Sequence, residues 1–600
     1  MPRLRSVALV GALLLPAAIG GFVVQEHAAR DGARVFDQVL SLVSERFVDT
    51  VGTGELYEKA ARGLVRQLDD PYSELFSPKE MQRFSTNSTG RYGGIGMQIE
   101  QQEGNIVVVR VFPHTPAEAA GIVEGDRIVG IDTASTRSWT SQQVSDVLIG
   151  EIGTKVKVRF VRPGVTQPIE HTFTRSEIHI PAVPFALMLD NRIAYVPLQT
   201  FNETASQELQ SSVDDLLKQG ARGIILDMRS NPGGILDQGL AVANLFLKNG
   251  QEIASVRMRQ GPPQVFNASG GEHIPTTPLI VLVDGNSASA AEIVTGALQD
   301  HDRALVVGTT SFGKGLVQTV FPLDGGWALK LTTGKWYTPS GRSIQKAHRA
   351  LDSVVAAGTV DEESAPDSLE SDSVKKHRPA YKSDAGRVVY GGGGVTPDVI
   401  VANDTVSTAE QDFARSVAPK FPAMRSVLYD YALELKGQVK PDFVVSPQWR
   451  AEFYRRLKAA KVDVDSAGYA AAAPLVDQWI SNQVARLAFG DSTAFRRDIP
   501  SDPQLLEAIS LLEKGQSQQD LFSLARADSA VRRYLPRHAI PLHRDRDRPC
   551  GRGIDGAGDC RSEFLRAERR AGAGRAPSRQ YPPAHARRRK CRSLLQRRRQ

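Results

Sequence analysis

Apolar residues first recur at helical spacing near the start of the chain, where Val35, Val39, Leu42, Val43 and Phe47 share one helical face. This spacing predicts helices over 31–83, the second running from about Leu56 to Leu68 and stopped by Asp69-Asp70-Pro71. From 85 to 170 the pattern becomes strand-rich. Gly90, Gly93, Gly94 and Gly96 punctuate it, and Ile106–Val109 and Val156–Val161 read as strands. Over 192–340, strands Ile193–Pro197, Gly223–Met228, Leu279–Asp284 and Ala304–Val307 alternate with helices near 204–219, 235–248 and 288–299. That alternation predicts an α/β fold with a mostly parallel sheet. Residues 350–386 are rich in Ser, Asp and Glu and read as an exposed or disordered loop. Amphipathic helices return over 405–533, among them Leu428–Leu435, Arg450–Ala460 and Leu475–Ala488.

The first apolar run, Val7–Val24, follows Arg3 and Arg5, the order of a secretory signal. It is also just long enough for a membrane anchor, and no clean cleavage site follows it. Residues 1–26 are therefore expected to be a signal peptide or an anchor, leaving the bulk of the chain exported, periplasmic or on the outer face of the inner membrane.

The net charge of +7 does not describe the body of the protein. Residues 536–600 hold 19 of the 74 basic and 6 of the 67 acidic side chains, so the remainder, 55 against 61, is mildly acidic. That argues against a nucleic-acid partner. All three cysteines, Cys550, Cys560 and Cys591, lie in the same tail, so the body needs neither disulfides nor a thiolate metal site. The tail is Arg-, Gly- and Pro-rich without periodicity, as a shifted reading frame in GC-rich DNA would be, and is assigned no function.

Gly94-Ile95-Gly96-Met97 resembles the carboxylate-binding loop of PDZ domains, and Pro116–Gly121 with Gly125–Ile131 matches a second pattern of that family. Glycines let successive backbone N–H groups, here those of Ile95, Gly96 and Met97, turn toward one carboxylate. Val144 and Leu148, four apart on the following helix, are placed to wall a pocket for a terminal side chain. The alternative is a glycine-rich hairpin.

Three further segments carry candidate chemistry. Gly285–Glu292 opens a helix directly after a buried strand, which puts Ser289 at a helix N-terminus. Alone, Ser287 or Ser289 reads better as a mere helix cap. Lys314, between Gly313 and Gly315 just past a strand, is a lysine that burial can neutralise into a base. His301, in Asp300-His301-Asp302, reads as an exposed helix cap, so Ser-Lys is preferred to Ser-His-Asp. Gly308 to Lys314 nearly spells a phosphate loop, but Gly315 stands where Ser or Thr would hold magnesium, and Leu316–Phe321 alternates like a strand. Asn231-Pro232-Gly233-Gly234 follows another strand and can aim a backbone N–H at an oxyanion.

The order of these pieces, with Leu68–Ser73, Thr338–Ile344 and Gly394–Asp398, resembles the carboxyl-terminal processing proteases, also called tail-specific proteases, over about 35–400. The resemblance implies a crotonase-like core over 180–400 carrying the 350–386 insertion, preceded by helices at 31–83 and a PDZ domain at 85–170. Residues 405–533 form a helical region outside it. It implies Ser289 as nucleophile, Lys314 as general base, Gln318 as the residue orienting that lysine, and Gly234 and Ala290 as backbone oxyanion donors. It further implies endopeptidase cleavage near protein C-termini without a cofactor, and helices outside the core that often dimerise. The competing readings are a catalytically silent PDZ scaffold and crotonase-like acyl-CoA chemistry. The PDZ module and the export signal argue against the second.

Overall fold

The computed structural model describes residues 30–534, apart from 103, 163–164, 271–272, 275, 347–377 and 403–406. The expected signal or anchor, most of the 350–386 insertion and the basic tail lie outside the described residues. Among the described residues, no helix is long and apolar enough to cross a membrane.

A six-stranded sheet organises the core, in the order Leu187–Leu189, Ile193–Pro197, Gly223–Asp227, Leu279–Val283, Leu305–Gly308, Val399–Ile400. The first pair is antiparallel and every other pair parallel. Side chains alternate across a strand, so a parallel sheet buried on both faces requires two apolar covers. One face presents Ala194, Val196, Ile224, Leu226, Val281 and Val306 to helices Ala205–Lys218, Leu236–Asn244 and Ala290–Asp300. The other presents Ile193, Tyr195, Ile225, Ile280, Leu282, Leu305 and Val307. Its cover is C-terminal: Leu505, Ala508, Leu511 and Leu512 of helix Pro503–Lys514, and Leu521, Phe522 and Ala525 of helix Gln518–Tyr534. The expected boundary near 400 is therefore no core boundary, because the sheet's second face needs residues a hundred positions further on.

A second sheet contains Glu74–Phe76, Ala328–Tyr337, Glu252–Met258 and Gln264–Asn267, with Leu316–Pro322 also paired to Ala328–Tyr337. The region 31–83, expected to be helical, thus contributes a strand. Glu74, Leu75 and Phe76 pair antiparallel with Lys330, Leu329 and Ala328. Its helices are 30–46, Thr53–Arg66 and Pro78–Thr89. Val35, Val39 and Leu42 lie exposed on the first, and Phe47 just beyond it, so the periodicity there marks a helix but not a buried face of this chain.

The PDZ-like unit is a sheet in the order Met97–Gln102, Asn105–Val111, Arg127–Ile131, Lys155–Val161, Ile169–Thr174. It encloses its own apolar core. A two-stranded neck, Arg91–Gly94 with Ser176–His179, joins it to the rest. Lys79 and Arg83 reach Asp146 on its helix Ser141–Leu148, and these cations hold the Asp146 carboxyl down at about 2 despite partial burial. From the C-terminal side, the Tyr429 hydroxyl donates to Val108 O at 3.0 Å, and Arg425 pairs with Glu100, Arg127 with Asp430 and Arg110 with Asp491.

Two local expectations change. His301 is not exposed: its ring nitrogens contact Asp384 Oδ2 at 2.8 Å and Glu252 O at 2.7 Å, and its side chain is 9% accessible. The end of the insertion is ordered, since Ala380–Lys382 pairs with Val388–Tyr390. Its strands are mostly apolar or aromatic, and Val389 is buried. Its anchors are polar, Asp384 N to Asp300 O and Arg387 to Asp302 and Asp398.

Asp502 joins the C-terminal cover to the core twice. It caps helix Pro503–Lys514 through Leu505 N at 3.0 Å and pairs with Arg229 at 2.7 Å. A lost cap costs about 1 kcal/mol and a lost hydrogen bond to a charged group about 1.5–3 kcal/mol. Asp502→Ala should therefore lower unfolding free energy by roughly 2–4 kcal/mol, and Asp502→Asn, which keeps the cap, by less than about half of that. Denaturant midpoints of the two variants check this; equal losses would place the cost elsewhere.

Candidate active site

Ser289 occupies the turn between strand Leu279–Val283 and helix Ala290–Asp300, with φ 55° and ψ −113°. A non-glycine residue there carries about 1–3 kcal/mol of backbone strain, tolerated only where surrounding contacts fix it. Two neighbours fix it here. Ala288 N donates to Asn231 O at 2.9 Å, and Ser289 N donates to Glu292 Oε2 at 2.9 Å.

Glu292 is fully buried and accepts four hydrogen bonds. Oε1 takes the Ser311 hydroxyl at 2.5 Å and Gly313 N at 2.7 Å. Oε2 takes Lys314 N at 2.9 Å as well as Ser289 N. One oxygen thus sits between the amides of Ser289 and Lys314, residues brought together from opposite ends of a 25-residue excursion. Burial pushes the Glu292 carboxyl above its ordinary range, and the four donors oppose that shift.

The loop Ser311–Gly315 is held from its other side by segments singled out in the sequence. Ser311 N donates to Val395 O and Val395 N to Ser311 Oγ, while Lys346 N donates to Gly313 O and Gly315 N to Gln345 Oε1. Gly394 must be glycine: its φ is +89°, and a Cβ would lie 2.2 Å from Ser311 O. The Lys314 ammonium lies 4.8 Å from the centroid of the Tyr72 ring. Burial lowers its pKa, as does Lys330, while Glu292 and Asp70 oppose. An open cavity of about 930 Å³, lined in part by Arg62, Leu68, Asp70, Ser73 and Leu75, runs along the segment that carries Tyr72.

Asn231 shapes the loop facing Ser289. Its buried side chain donates to Leu198 O at 2.6 Å and accepts from Gly233 N at 2.8 Å. A Cβ at Gly233 would lie 2.8 Å from Ser289 Cβ and 2.9 Å from Ala290 N, so this backbone abuts the serine turn. Gly233 O accepts from Phe201 N, and Phe201 O accepts from Ile235 N. The amides of Gly234 and Ala290 have no acceptor among the described residues. Gln318, on strand Leu316–Pro322, donates to Thr332 Oγ1 at 3.2 Å; no bond from it to Lys314 is present among the described residues.

A strained serine at a helix start, a desolvated lysine tied to it through one carboxylate, and two free amides are parts suited to acyl transfer. Comparison with known proteins agrees. Residues 192–355 match peptidase family S41, 93–171 a PDZ domain, and 23–79 the activating protease CtpB N-terminal domain. The carboxy-terminal processing protease CtpA of Bacillus subtilis is 34% identical over 327 residues, 54% of this chain and 70% of that protein. The carboxy-terminal-processing protease of Bartonella bacilliformis is 36% identical over 314 residues, 52% of this chain and 72% of its own length. The chain belongs to the carboxy-terminal processing proteases. It is a serine-type peptidase with a PDZ domain and an α/β core. Among solved structures, a photosystem II D1 C-terminal processing protease is 30% identical at TM-score 0.30, covering 50% of this chain and 82% of that one.

In the PDZ domain of this processing protease, Gly96 has φ +87°, and the carbonyls of Ile95 and Gly96 accept from Ala117 N and Phe112 N. The amides of Ile95 and Gly96 have no acceptor among the described residues. Met97 begins an edge strand whose partner on one side is Asn105–Val111. Val144 and Leu148, expected to wall a pocket, are buried on helix Ser141–Leu148 in one apolar cluster with Ile95 and Met97. A Cβ on Gly96 would strike Thr115 at 2.2 Å, so a substitution there would break the loop rather than crowd a ligand.

Sequence reasoning passed over Glu292, Asn231 and Tyr72, although each lies inside a quoted motif. Glu292 had a legible signal, a lone charge in an otherwise apolar helix start. All four of its partners donate, so an isosteric amide must turn its NH₂ against at least one backbone N–H. Glu292→Gln should lose at least about 2 kcal/mol of stability, the cost of an unsatisfied buried donor, and over about 100-fold in kcat. Thermal unfolding and peptide turnover measured together check this, and near wild-type behaviour in both would contradict it.

Proposed function

We propose that this processing protease cleaves peptide bonds near protein C-termini through a Ser289–Lys314 pair. The observation that carries the reading is the Glu292 oxygen shared by the Ser289 and Lys314 amides. In this reading neutral Lys314 takes the Ser289 hydroxyl proton as Oγ bonds to the scissile carbonyl carbon. The oxyanion is met by the Gly234 and Ala290 amides. The ammonium then protonates the leaving nitrogen, and the C–N bond breaks to leave an acyl-serine. Water attacks that ester, passes a proton to Lys314, and Ser289 Oγ leaves with the proton from the ammonium. Gln318 donates to Thr332, and no step is assigned to it.

Ser289→Ala should abolish turnover while leaving unfolding within about 1 kcal/mol, since one hydroxyl contributes little to stability there. Lys314 must be neutral to act, and its pKa is lowered by burial and Lys330, so activity should rise with pH through that lowered value. Arginine cannot deprotonate in this range, so Lys314→Arg should be inactive at every pH. Turnover in either variant would move the assignment to other residues.

The PDZ loop is proposed to hold the substrate's terminal carboxylate at the free amides of Ile95 and Gly96, with the Met97 strand edge extending the peptide. Hydrogen bonds to a charged acceptor are worth about 1.5–3 kcal/mol each. A peptide ending in an amide should then be bound or cut at least about 10-fold less well than its acid twin at fixed ionic strength. Equal rates for the two peptides would remove the PDZ loop from substrate recognition.

A further inference from the structure

The segment Leu68–Ser73 has no place in the reading above, although it lies against the base. Its turn is closed on itself, with Tyr72 N donating to Asp70 Oδ1 at 3.2 Å and Ser73 Oγ to Asp70 Oδ2 at 2.5 Å. It is then fastened to the second sheet. Thr332 N donates to Ser73 Oγ at 3.0 Å, and the next three residues pair with strand Ala328–Tyr337. The polar partner of Gln318 is that same Thr332. The sheet that carries Gln318 therefore sets the height of the turn, and the turn delivers the Tyr72 ring to Lys314 Nζ.

We propose that Tyr72 is a positioning residue for the general base: its ring face holds the ammonium that Lys314 becomes each time it accepts the serine or water proton. The inference rests on the reading of Lys314 as base. A cation within about 6 Å of a ring centroid is attracted by the ring's electron-rich face, most strongly where water is excluded. Neutral lysine gains little from the same face. The contact therefore favours the charged form and works against burial.

The groups facing Lys314 come from three elements. Lys330, on strand Ala328–Tyr337, repels the ammonium and is itself engaged by Glu74 and by the rings of Phe76 and Phe84. Glu292, from helix Ala290–Asp300, and Asp70, from the turn, attract it. Burial and Lys330 weaken the amine as a base, which favours its free form. The ring keeps the proton from being lost before the leaving nitrogen takes it. Tyr72 stays a neutral phenol throughout, because burial and the Glu292 charge push its hydroxyl up to about 12.

The test replaces Tyr72 by phenylalanine and then by mono-, di- and trifluorophenylalanine in the full chain. These rings keep their shape and burial while losing face potential stepwise. The readout is the acid limb of kcat/KM against pH with a peptide bearing a free C-terminus. Phenylalanine should leave the limb within about 0.3 pH unit of wild type. Fluorination should move it progressively lower, by about one unit at trifluorophenylalanine, a tenfold fall in proton affinity. Tyr72→Leu should shift it at least as far. A limb that vanishes in Lys314→Ala yet is unmoved by fluorination overturns the role of Tyr72 alone. A limb that persists unchanged in an active Lys314→Ala variant overturns the assignment of the base, and the inference with it.

Discussion

A single buried carboxylate organises the chemistry of this protein. Glu292 is enclosed on a helix whose every residue is buried, so its charge is tolerable only because four donors converge on it. Those donors are the Ser289 turn on one side and the Ser311–Lys314 loop on the other. Neither segment has regular secondary structure to hold it, and Ser289 sits in a backbone conformation it would not adopt alone. The strain of the turn, the placement of the lysine and the orientation of the helix start all depend on satisfying that carboxylate.

Around this centre the architecture follows from having to cover a parallel sheet twice. Its inner face is covered within the α/β alternation. Its outer face is covered by helices beyond residue 500, and Asp502 ties their start to Arg229, two residues before the Asn231 loop. The helical region is thus joined to the backbone that abuts the serine. Through Tyr429, Arg425, Asp430 and Asp491 it also touches the PDZ domain. PDZ domain and core sheet are consequently braced by the same stretch of chain.

Much of this was legible beforehand. Strands such as Leu279–Val283 are continuous apolar runs, and runs of that kind alternating with amphipathic helices leave few folds to choose from. The serine, the lysine and the glycine loops are visible because their residue types are unusual at those places in the pattern. Periodicity marks a face without saying what covers it. Val144 and Leu148 share a helical face buried beside Ile95 and Met97, while the equally regular row at Val35 and Val39 is left uncovered. Glu74–Phe76 is too short to show a period at all, and it is a strand only because Ala328–Tyr337 offers it an edge.

The sequence by itself determined the local material: the α/β alternation, the glycines that permit positive φ at Gly96 and Gly394, and the identities of Ser289 and Lys314. These are properties of a residue and its near neighbours, written in a window of ten or twenty positions. The tertiary structure alone decided which of them meet. Ser289 and Lys314 come together through a glutamate that locally reads as a cap, the ring facing the lysine arrives from more than two hundred residues upstream, and the cover of the core sheet comes from two hundred residues downstream. Such contacts depend on packing and on satisfying buried polar groups across the whole chain, and no local window contains both partners.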